Sequence, residues 1–431
     1  MGADRLIYIR TDGNSKIAAG HLVRCLSIAQ NCLKIGIPVC FLLSDEESLQ
    51  LLNGFLTDDL KQNPGLSVQI LKTAKYDDLE RELPEVLALL SAPYTSTPSH
   101  LFSDAPSTPF SSITCSADAS PAVSSGRKDK NICSKGYVYL LDSYFVTKKY
   151  LTTINSAAKV AYLDDLQLFD YPVDLIINYD VIPDTVMPSY QTAYSKVGKA
   201  LLGAAYTPLR SQFENKAVTV KEKVTDILIT TGGSDPYHFC VEFVQEFSEQ
   251  FSCPSTSAAS TALRNITTAS DEHVTEIPTL HIVIGSLSKD KENLHALAKE
   301  YPFIKLHEKV MDMAALMSVC DLAISAAGTT LYELCALGVP TVSFTMADNQ
   351  LVAAKAFDEA GAIPCAGDIR KEKDPMMDRI FDFLIQMRDE IPDKTGSLSS
   401  GYKHRFCAHE TMHRLVDGNG AMRIAKELAI L

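Results

Sequence analysis

The segment that joins the first apolar stretch of the chain to the first helical pattern contains residue types suited to acid–base chemistry. It runs from Arg10 through Asp12 and Gly20-His21 to Arg24. Ligands of open parallel sheets bind at the carboxyl ends of strands, where helix N-termini point into a crevice. Gly20 permits close backbone approach, and His21 lies in the first helical turn, where dipole repulsion favours a neutral imidazole near pH 7. The pattern favours His21 as a general base; the alternative is a histidine that caps or packs the helix.

Two segments in the second half of the chain place glycines and small hydroxyl residues directly after apolar runs. Successive backbone N–H groups in the first, Gly232–Ser234, can cradle a phosphate, although a glycine pair can also be only a turn. The second, Gly328–Thr330, opens a helical pattern and suits a diphosphate. Glu333, one turn further on, could accept hydrogen bonds from ribose hydroxyls or be a surface residue of a capped helix.

A polar pair, Asn349 and Gln350, follows another apolar run and could bind substrate, position water or only cap the next helix. His409 and His413 could share one face of a helix, but no Glu follows the first histidine as it does in zincins. We therefore predict neither a metal site nor a bound cofactor.

Carboxylates occur after two predicted strands of the first half. Asp142 begins the segment Asp-Ser-Tyr that ends at Tyr144, and Asp164 and Asp165 are adjacent. Paired carboxylates can divide acid and base roles when their environments differ. Adjacent side chains on an extended chain point in opposite directions, so we expect one of Asp164 and Asp165 to be structural.

Alternating strands and helices would have to position these residues. Short continuous apolar runs separated by helical patterns are typical of parallel strands that are covered on both faces. A helix is predicted from His21 to about Leu33. Strands are predicted at Leu6–Ile9, Pro38–Leu43, Tyr137–Leu141, Val160–Leu163, Leu175–Ile177, Ile227–Thr230, Leu280–Ile284, Leu322–Ile324 and Thr341–Phe344. They form two groups divided near residues 205–222, so the predicted fold class is α/β with two parallel-sheet domains.

Composition limits the classes of function. The chain has 431 residues, of which 46% are hydrophobic and 22% charged, as in soluble globular proteins. Its formal net charge of −13 argues against broad nucleic-acid binding, which needs a basic surface, but is compatible with a local pocket for a phosphorylated small molecule. No stretch approaches the ~18 apolar residues of a membrane span. Eleven cysteines without a C-x-x-C pair favour reduced thiols, and we expect a cytoplasmic protein.

Two segments rich in Ser, Thr and Pro, at about 94–135 and 252–276, interrupt the alternation of strands and helices. Such segments bury too little apolar surface to offset the entropy of ordering, so they are predicted to be flexible surface insertions.

Taken together, these motifs resemble those of the nucleotide-sugar hydrolases of bacterial pseudaminic acid synthesis and the related spore-coat polysaccharide proteins. This group is a branch of the GT-B superfamily, close to the peptidoglycan glycosyltransferase that makes lipid II. The resemblance covers nearly the whole chain apart from the two insertions. It rests on Arg10–Arg24, Asp142–Tyr144, Asp164-Asp165, Leu202–Arg210, Gly232–Asp235, Ser325–Gly338, Asn349-Gln350 and Val416–Arg423.

The resemblance implies two Rossmann-like domains that face each other across a cleft, 1–205 for the sugar and catalysis and 206–431 for UDP. The terminal helix could pack back on the first domain. The expected partners are a UDP-sugar substrate and other enzymes of the same sugar pathway, with no nucleic acid and no membrane insertion. The expected product is a free 2,4-diacetamido-2,4,6-trideoxy sugar, and a glycosyltransferase or a non-catalytic binding module is the alternative.

By the same resemblance, His21 activates or positions water, and Arg10, Asp12 and Tyr144 line the sugar side, with Gly20, Arg24 and Asp164 as further substrate-binding candidates. The residues expected to hold the nucleotide or the bridging region are Gly232, Gly233, Ser234, Ser325, Gly328, Thr329, Glu333, Asn349 and Gln350. The chain departs from the family's Gly-x-Gly-His, since Ala18-Ala19-Gly20-His21 lacks the first glycine.

Overall fold

The computed structural model describes residues 5–92, 137–252, 277–388 and 398–431. The predicted insertions at about 94–135 and 252–276 lie outside the described residues, apart from Ser252, which ends a helix. Among the helices in these ranges, none combines the length and apolar character needed to cross a bilayer.

The first half of the chain builds a sheet of seven parallel strands. They are β1 (Leu6–Arg10), β2 (Val39–Leu43), β3 (Leu66–Ile70), β4 (Tyr137–Leu141), β5 (Lys159–Leu163), β6 (Leu175–Asn178) and β7 (Lys199–Leu202). Their order across the sheet is β3-β2-β1-β4-β5-β6-β7, so the direction of strand addition reverses between β1 and β4. The associated helices are α1 (Gly20–Lys34), α2 (Glu46–Phe55), α3 (Asp58–Lys61), α4 (Leu83–Ser91), α5 (Lys148–Asn155) and α6 (Met187–Ala193).

The second half builds a sheet of six parallel strands. They are β8 (Asp226–Thr230), β9 (Thr279–Ile284), β10 (Ile304–Glu308), β11 (Leu322–Ala326), β12 (Thr341–Thr345) and β13 (Cys365–Asp368). Their order is β10-β9-β8-β11-β12-β13, with the reversal between β8 and β11. The helices are α7 (Phe239–Ser252), α8 (Lys291–Glu300), α9 (Met313–Val319), α10 (Thr330–Leu337), α11 (Asp348–Glu359), α12 (Ile369–Arg388), α13 (Ser400–Leu415) and α14 (Gly420–Ile430). Both halves are therefore doubly wound, Rossmann-like α/β units.

The structure confirms all nine predicted strands to within one or two residues at their ends, and it also confirms the predicted helix at α1. Four further strands, β3, β7, β10 and β13, were not predicted. They are the four strands at the outer edges of the two sheets. An edge strand has only one strand neighbour and is covered less completely, so it needs no continuous apolar run.

Helix α1 covers one face of the first sheet because its apolar residues recur at helical spacing. Leu22, Cys25, Leu26, Ile28, Ala29 and Cys32 are all buried. The last helix, α14, packs against α1, and its Ile424, Ala425 and Leu428 belong to the same apolar core as β1 and β2. Gly420 allows this return of the chain, because a Cβ at that position would lie 2.2 Å from the carbonyl oxygen of Thr207. The C-terminus of the chain thus helps to hold the sheet formed by its N-terminal half.

We expect Leu428→Ala to lower the free energy of unfolding by about 2–5 kcal/mol, because it leaves a cavity in a core shared by α14 and α1. Leu428 is 0% exposed, whereas Ile430 in the same helix is 72% exposed and provides the matched control. Ile430→Ala should change stability by less than about 0.5 kcal/mol. Urea unfolding followed by circular dichroism measures both changes, and equal effects would contradict the packing of α14.

Candidate active site

The two reversals of strand order bring the predicted motifs together at the carboxyl ends of the strands. In the first sheet, β1 leads into the segment that carries His21, and the neighbouring β4 leads into Asp142. In the second sheet, β8 leads into Gly232–Ser234 and the neighbouring β11 leads into Gly328–Thr330. A crevice for a ligand opens at such a reversal because the loops on either side diverge. Each sheet therefore offers one candidate site.

His21 and Asp142 form a hydrogen-bonded pair at the first of these crevices. The distance from His21 Nδ1 to Asp142 Oδ1 is 2.7 Å, and both side chains are buried. An ionised carboxylate only accepts hydrogen bonds, so Nδ1 donates to Asp142, and in the neutral imidazole Nε2 then keeps the lone pair. This is how an aspartate orients a catalytic histidine and stabilises the proton that the histidine takes up. The pair can therefore supply a general base at Nε2.

Arg24 holds the Asp142 carboxylate in its charged form. Its Nε donates to Asp142 Oδ2 at 2.6 Å and its Nη2 to Oδ1 at 2.5 Å. Burial alone would raise the pKa of Asp142, but the Arg24 charge and the hydrogen bonds from Arg24 and His21 hold that pKa well below its usual range. The thiol of Cys25 lies 3.5 Å from Asp142 Oδ2 and can add another donor. Arg24 was predicted to bind substrate; its side chain instead contacts groups of the protein that position His21.

Tyr144 and Asp165 lie beside this pair. The ring of Tyr144 meets the His21 imidazole edge to face, with centroids 4.5 Å apart, and its hydroxyl donates to Asp165 Oδ2 at 3.2 Å. Burial and the Asp165 charge raise the pKa of Tyr144 to about 12, so the phenol stays protonated. Tyr144 is 44% exposed and can contact a ligand next to His21.

The structure corrects the predicted roles of Arg10 and Asp12. Arg10 is only 1% exposed, and it donates from Nε and Nη2 to the two oxygens of Glu82 at 2.8 and 2.9 Å. Asp12 accepts from Arg10 Nη1 at 2.5 Å and from the backbone N–H of Ser44 at 2.7 Å. Because these groups already satisfy one another, they stabilise the turn after β1 and do not line the sugar side.

Asp164 and Ser325 are likewise engaged inside the protein. Asp164, 0% exposed, accepts from the hydroxyls of Tyr171 and Tyr194 and from the backbone of the following turn. As expected, one of the two adjacent aspartates is structural, but it is Asp164, whereas Asp165 is the one near His21. Ser325 is also 0% exposed and donates to the carbonyl oxygen of Ala326 at 2.9 Å, so its side chain cannot reach a nucleotide.

The glycine pair after β8 lies open to solvent. A Cβ built on Gly232 or Gly233 would meet no atom within 4 Å, and Gly232 has a φ of +79°. The backbone of Gly285 packs closely against the pair, because a Cβ on Gly285 would lie 2.3 Å from the Gly232 carbonyl oxygen. Asp235 accepts from the backbone N–H groups of Phe239 and Cys240 and so caps α7. The loop therefore presents backbone to a space that an anion can enter.

The start of α10 offers further donors. Thr329 is its exposed N-cap, and Gly328 has open space where a Cβ would be. The first N–H groups of a helix have no acceptor within the helix and attract anions. Glu333 accepts from Arg210 Nη2 at 2.6 Å. Burial raises the pKa of Glu333, and the Arg210 charge counteracts this only in part.

Among the other candidates, Gly20 begins α1 and has open space around its Cα. Gln350 Oε1 accepts from the backbone N–H of Met346 at 2.7 Å, so its side chain turns back to the residue before Ala347, the N-cap of α11. Asn349 is exposed beside it.

His409 and His413 contact the carbonyl oxygens of Gly338 and Ala336 at the end of α10.

Sequence reasoning did not assign the residues that position His21. Asp142 was noticed only as part of a motif, and Asp165 only as one of two alternatives. Glu82 was missed completely, because nothing marks a glutamate that contacts an arginine 72 residues away in the chain. The position of Asp142 directly after a buried strand next to β1 was the one signal that could have found it.

The sequence is similar to parts of three known proteins. No protein-family model matches the sequence. It is 26% identical over 231 residues to spore coat polysaccharide biosynthesis protein SpsG of Bacillus subtilis, an alignment that covers 52% of this chain and 56% of that protein. It is 32% identical over 95 residues to pseudaminic acid cytidylyltransferase and UDP-2,4-diacetamido-2,4,6-trideoxy-beta-L-altropyranose hydrolase of Helicobacter pylori, covering 20% of this chain and 18% of that one.

An uncharacterized protein of Methanocaldococcus jannaschii, MJ1062, is 22% identical over 357 residues, which is 78% of this chain and 54% of that protein. The alignments thus span about half the length of the first two relatives, SpsG at 56% and MJ1062 at 54%.

Two solved structures share the architecture. Acinetobacter baumannii MurG superimposes with a TM-score of 0.54 at 13% identity, covering 99% of this chain and 100% of that one. The chain has a GT-B fold. Medicago truncatula UGT71G1, solved in complex with UDP-glucose, gives a TM-score of 0.56 at 11% identity, covering 99% of this chain and 98% of that one.

We expect Asp142→Asn to lower the free energy of unfolding by about 3 kcal/mol near neutral pH, because it removes a partner of the buried Arg24 charge. The loss should shrink as the pH falls below about 4. The pKa of Asp142 is lower in the folded chain than the ~3.9 of a free aspartate, so its ionised form stabilises the fold above that pH, and the contribution disappears as the pH falls through the folded-state value.

Urea unfolding of wild type and variant between about pH 3 and pH 7 measures this difference. The control is Asp348→Asn, because the side chain of Asp348 is 87% exposed although it also contacts an arginine. A stability difference for Asp142→Asn that is the same at every pH would contradict the ionised, arginine-paired state of Asp142.

Proposed function

We propose that this protein hydrolyses a UDP-linked 2,4-diacetamido-2,4,6-trideoxy sugar at its anomeric carbon and releases UDP and the free sugar with inversion. The observation that carries the proposal is the His21–Asp142 pair, in which a buried carboxylate 2.7 Å from Nδ1 leaves Nε2 as a base. A base of this kind at the carboxyl end of β1 has the task of orienting and deprotonating a water molecule.

The reaction would form one bond and break one bond at the anomeric carbon. The water oxygen attacks that carbon while His21 Nε2 takes a proton from the water. The bond from the anomeric carbon to the β-phosphate oxygen breaks, and its electron pair leaves with UDP. Asp142 then stabilises the imidazolium until it returns its proton to solvent. Correct placement of a general base contributes about 10²–10⁴ in rate.

The second sheet would stabilise the leaving group. Negative charge develops on the diphosphate as the bond breaks, so donors that are fixed before the reaction lower its barrier. The backbone of Gly233 and Ser234 and the first residues of α10, Thr329 and Thr330, lie on neighbouring loops of one crevice. The N–H of Gly232 donates to Thr230 Oγ1, and those of Leu331 and Tyr332 donate to carbonyl oxygens at the helix start. Backbone N–H groups at such loops need no metal ion to bind a diphosphate. In the proposed complex the sugar points from this crevice towards His21 and Tyr144.

The relatives support this choice of substrate. The name of the Helicobacter pylori relative includes this hydrolase activity, and the name of SpsG includes polysaccharide biosynthesis. A second candidate function, transfer of the sugar to an acceptor, is favoured by the fold shared with MurG along 99% of the chain. The two functions differ only in whether water or an acceptor hydroxyl reaches the anomeric carbon.

We expect the purified protein to release UDP from UDP-2,4-diacetamido-2,4,6-trideoxy-β-L-altropyranose in buffer that contains EDTA and no acceptor. Mass spectrometry in ¹⁸O-labelled water should find one label in the free sugar and none in UDP, because water attacks carbon and not phosphorus. A panel of epimeric UDP-diacetamido sugars tests the stereochemistry of the substrate. UDP release only after addition of an acceptor would favour the transferase, and binding without turnover would favour a non-catalytic module.

We expect His21→Gln to lower kcat about 10²–10⁴-fold and to leave the Kd of UDP within about twofold, because the base acts on water and not on the nucleotide. His295→Gln is the matched control, since the side chain of His295 is 49% exposed and hydrogen-bonds Glu308 of the edge strand β10. Steady-state kinetics and calorimetry measure the two quantities. Wild-type turnover in His21→Gln with normal UDP binding would exclude the mechanism.

A further inference from the structure

Tyr179 follows β6 and contacts the site from the side opposite His21. Its hydroxyl accepts a hydrogen bond from Nη1 of Arg24, and the Arg24 guanidinium carbon lies 5.5 Å from the centroid of its ring. The same Nη1 donates to Asp165 Oδ2 at 2.8 Å. Arg24 therefore has acceptors on both sides, with Asp142 on one and Tyr179 and Asp165 on the other. Tyr179 is thus one of the contacts that hold Arg24 beside the carboxylate that orients His21.

The ring of Tyr179 also contacts the other half of the molecule. It meets Tyr332 of α10 edge to face, with centroids 6.1 Å apart. Val181, two residues further on, is buried in the same apolar cluster as Tyr332. Tyr332 is 7% exposed and is held on its other side by Phe357 of α11, at a centroid distance of 5.0 Å. The segment after β6 thus packs against Tyr332, and Tyr332 in turn packs against Phe357 of α11.

Tyr332 lies in the first turn of α10, the helix whose N-terminus offers donors to a diphosphate. It comes three residues after the N-cap Thr329, and a helix rises only about 1.5 Å per residue, so a shift of the helix start moves Tyr332 with it. A continuous series of contacts runs from this helix start through Tyr332, Tyr179 and Arg24 to Asp142 and His21. Each contact is a packed ring pair or a hydrogen bond to a charged group, so the series is physically continuous.

We infer that Tyr179 is a positioning residue that couples occupation of the nucleotide site at α10 to the orientation of the His21–Asp142 pair through Arg24. This inference rests on the proposed function for the identity of the nucleotide. It assigns a task to a tyrosine outside the His21–Asp142 pair. Through this coupling, a diphosphate bound at α10 stabilises the orientation of the base that activates water.

The test uses UDP itself and follows the ring of His21 by NMR in protein labelled at histidine. The His21 signal is identified by its absence from His21→Gln. Addition of UDP to the wild type should shift this signal. In Tyr179→Phe, which keeps the ring contact with Tyr332 but removes the acceptor for Arg24, UDP should bind within about twofold of the wild-type Kd and the His21 signal should no longer respond.

Two further variants separate the coupling from general damage to the fold. Tyr332→Leu removes the ring contact and leaves the Arg24–Tyr179 hydrogen bond, and it should also abolish the response. Tyr190→Phe is the matched control, because its hydroxyl bonds Asp180 at 3.2 Å and not Arg24, and its response should equal that of the wild type. With the UDP-sugar, Tyr179→Phe should lower kcat about 10- to 100-fold with little change in KM, as does loss of a residue that orients a catalytic group.

The outcomes distinguish this inference from the proposed function. If UDP binds and the His21 signal responds equally in wild type, Tyr179→Phe and Tyr332→Leu, the coupling is wrong and the hydrolase proposal stands. The same holds if UDP binds to the wild type without shifting His21. If UDP does not bind to the wild type at all, the nucleotide site itself is wrong, and both proposals are overturned.

Discussion

The buried ion pair of Arg24 and Asp142 is the interaction on which the candidate site depends. A carboxylate removed from water is costly unless a charge and hydrogen bonds compensate it, and otherwise it takes up a proton. Arg24 supplies that compensation with two hydrogen bonds of 2.5 and 2.6 Å. Asp142 consequently remains an acceptor, which fixes the hydrogen of His21 on Nδ1 and leaves Nε2 basic. Burial alone would raise the pKa of Asp142, so the Arg24 charge helps to keep the carboxylate an acceptor that selects the tautomer of the histidine able to act as a base.

The two sheets use one topology for two kinds of chemistry. Each reverses its strand order once, and each reversal opens a crevice between the loops of its two central strands. In the first sheet these loops carry titratable side chains, His21 and Asp142, which are buried and oriented by neighbours. In the second they carry glycines and a helix N-terminus, Gly232–Ser234 and Gly328–Thr330, which present backbone to open space. Proton transfer needs a side chain with a controlled pKa, whereas binding of a diphosphate needs only fixed N–H donors. Under the proposed function, this difference explains why the first sheet presents side chains and the second presents backbone.

The sequence predicted the interior of the fold well and its edges poorly, for a physical reason. Central strands such as β1 and β4 are covered on both faces and are apolar throughout, so they stand out as continuous runs. The edge strand β10, by contrast, alternates apolar with charged residues, and β13 contains a glycine and an aspartate. Prediction of the site was limited in a similar way. Its position after a buried strand indicated His21 and the glycine loops as candidates, but a position in the sequence could not show which way a side chain points. Arg10 and Asp164 occupy equivalent positions and turn inwards, towards Glu82 and Tyr194.

Fold likeness alone cannot decide whether water or an acceptor attacks the sugar. MurG shares the architecture at 13% identity, which shows the fold and not the nucleophile. In the proposed reaction, the groups that would bind the nucleotide act on the leaving group, and hydrolysis and transfer have that group in common. The attacking oxygen would instead contact the groups around Nε2 of His21. There the Tyr144 ring lies edge to face on the imidazole, and its hydroxyl donates to Asp165. Under the proposal, the choice of nucleophile therefore depends on the space that this ring leaves beside the histidine, and not on the fold that carries it.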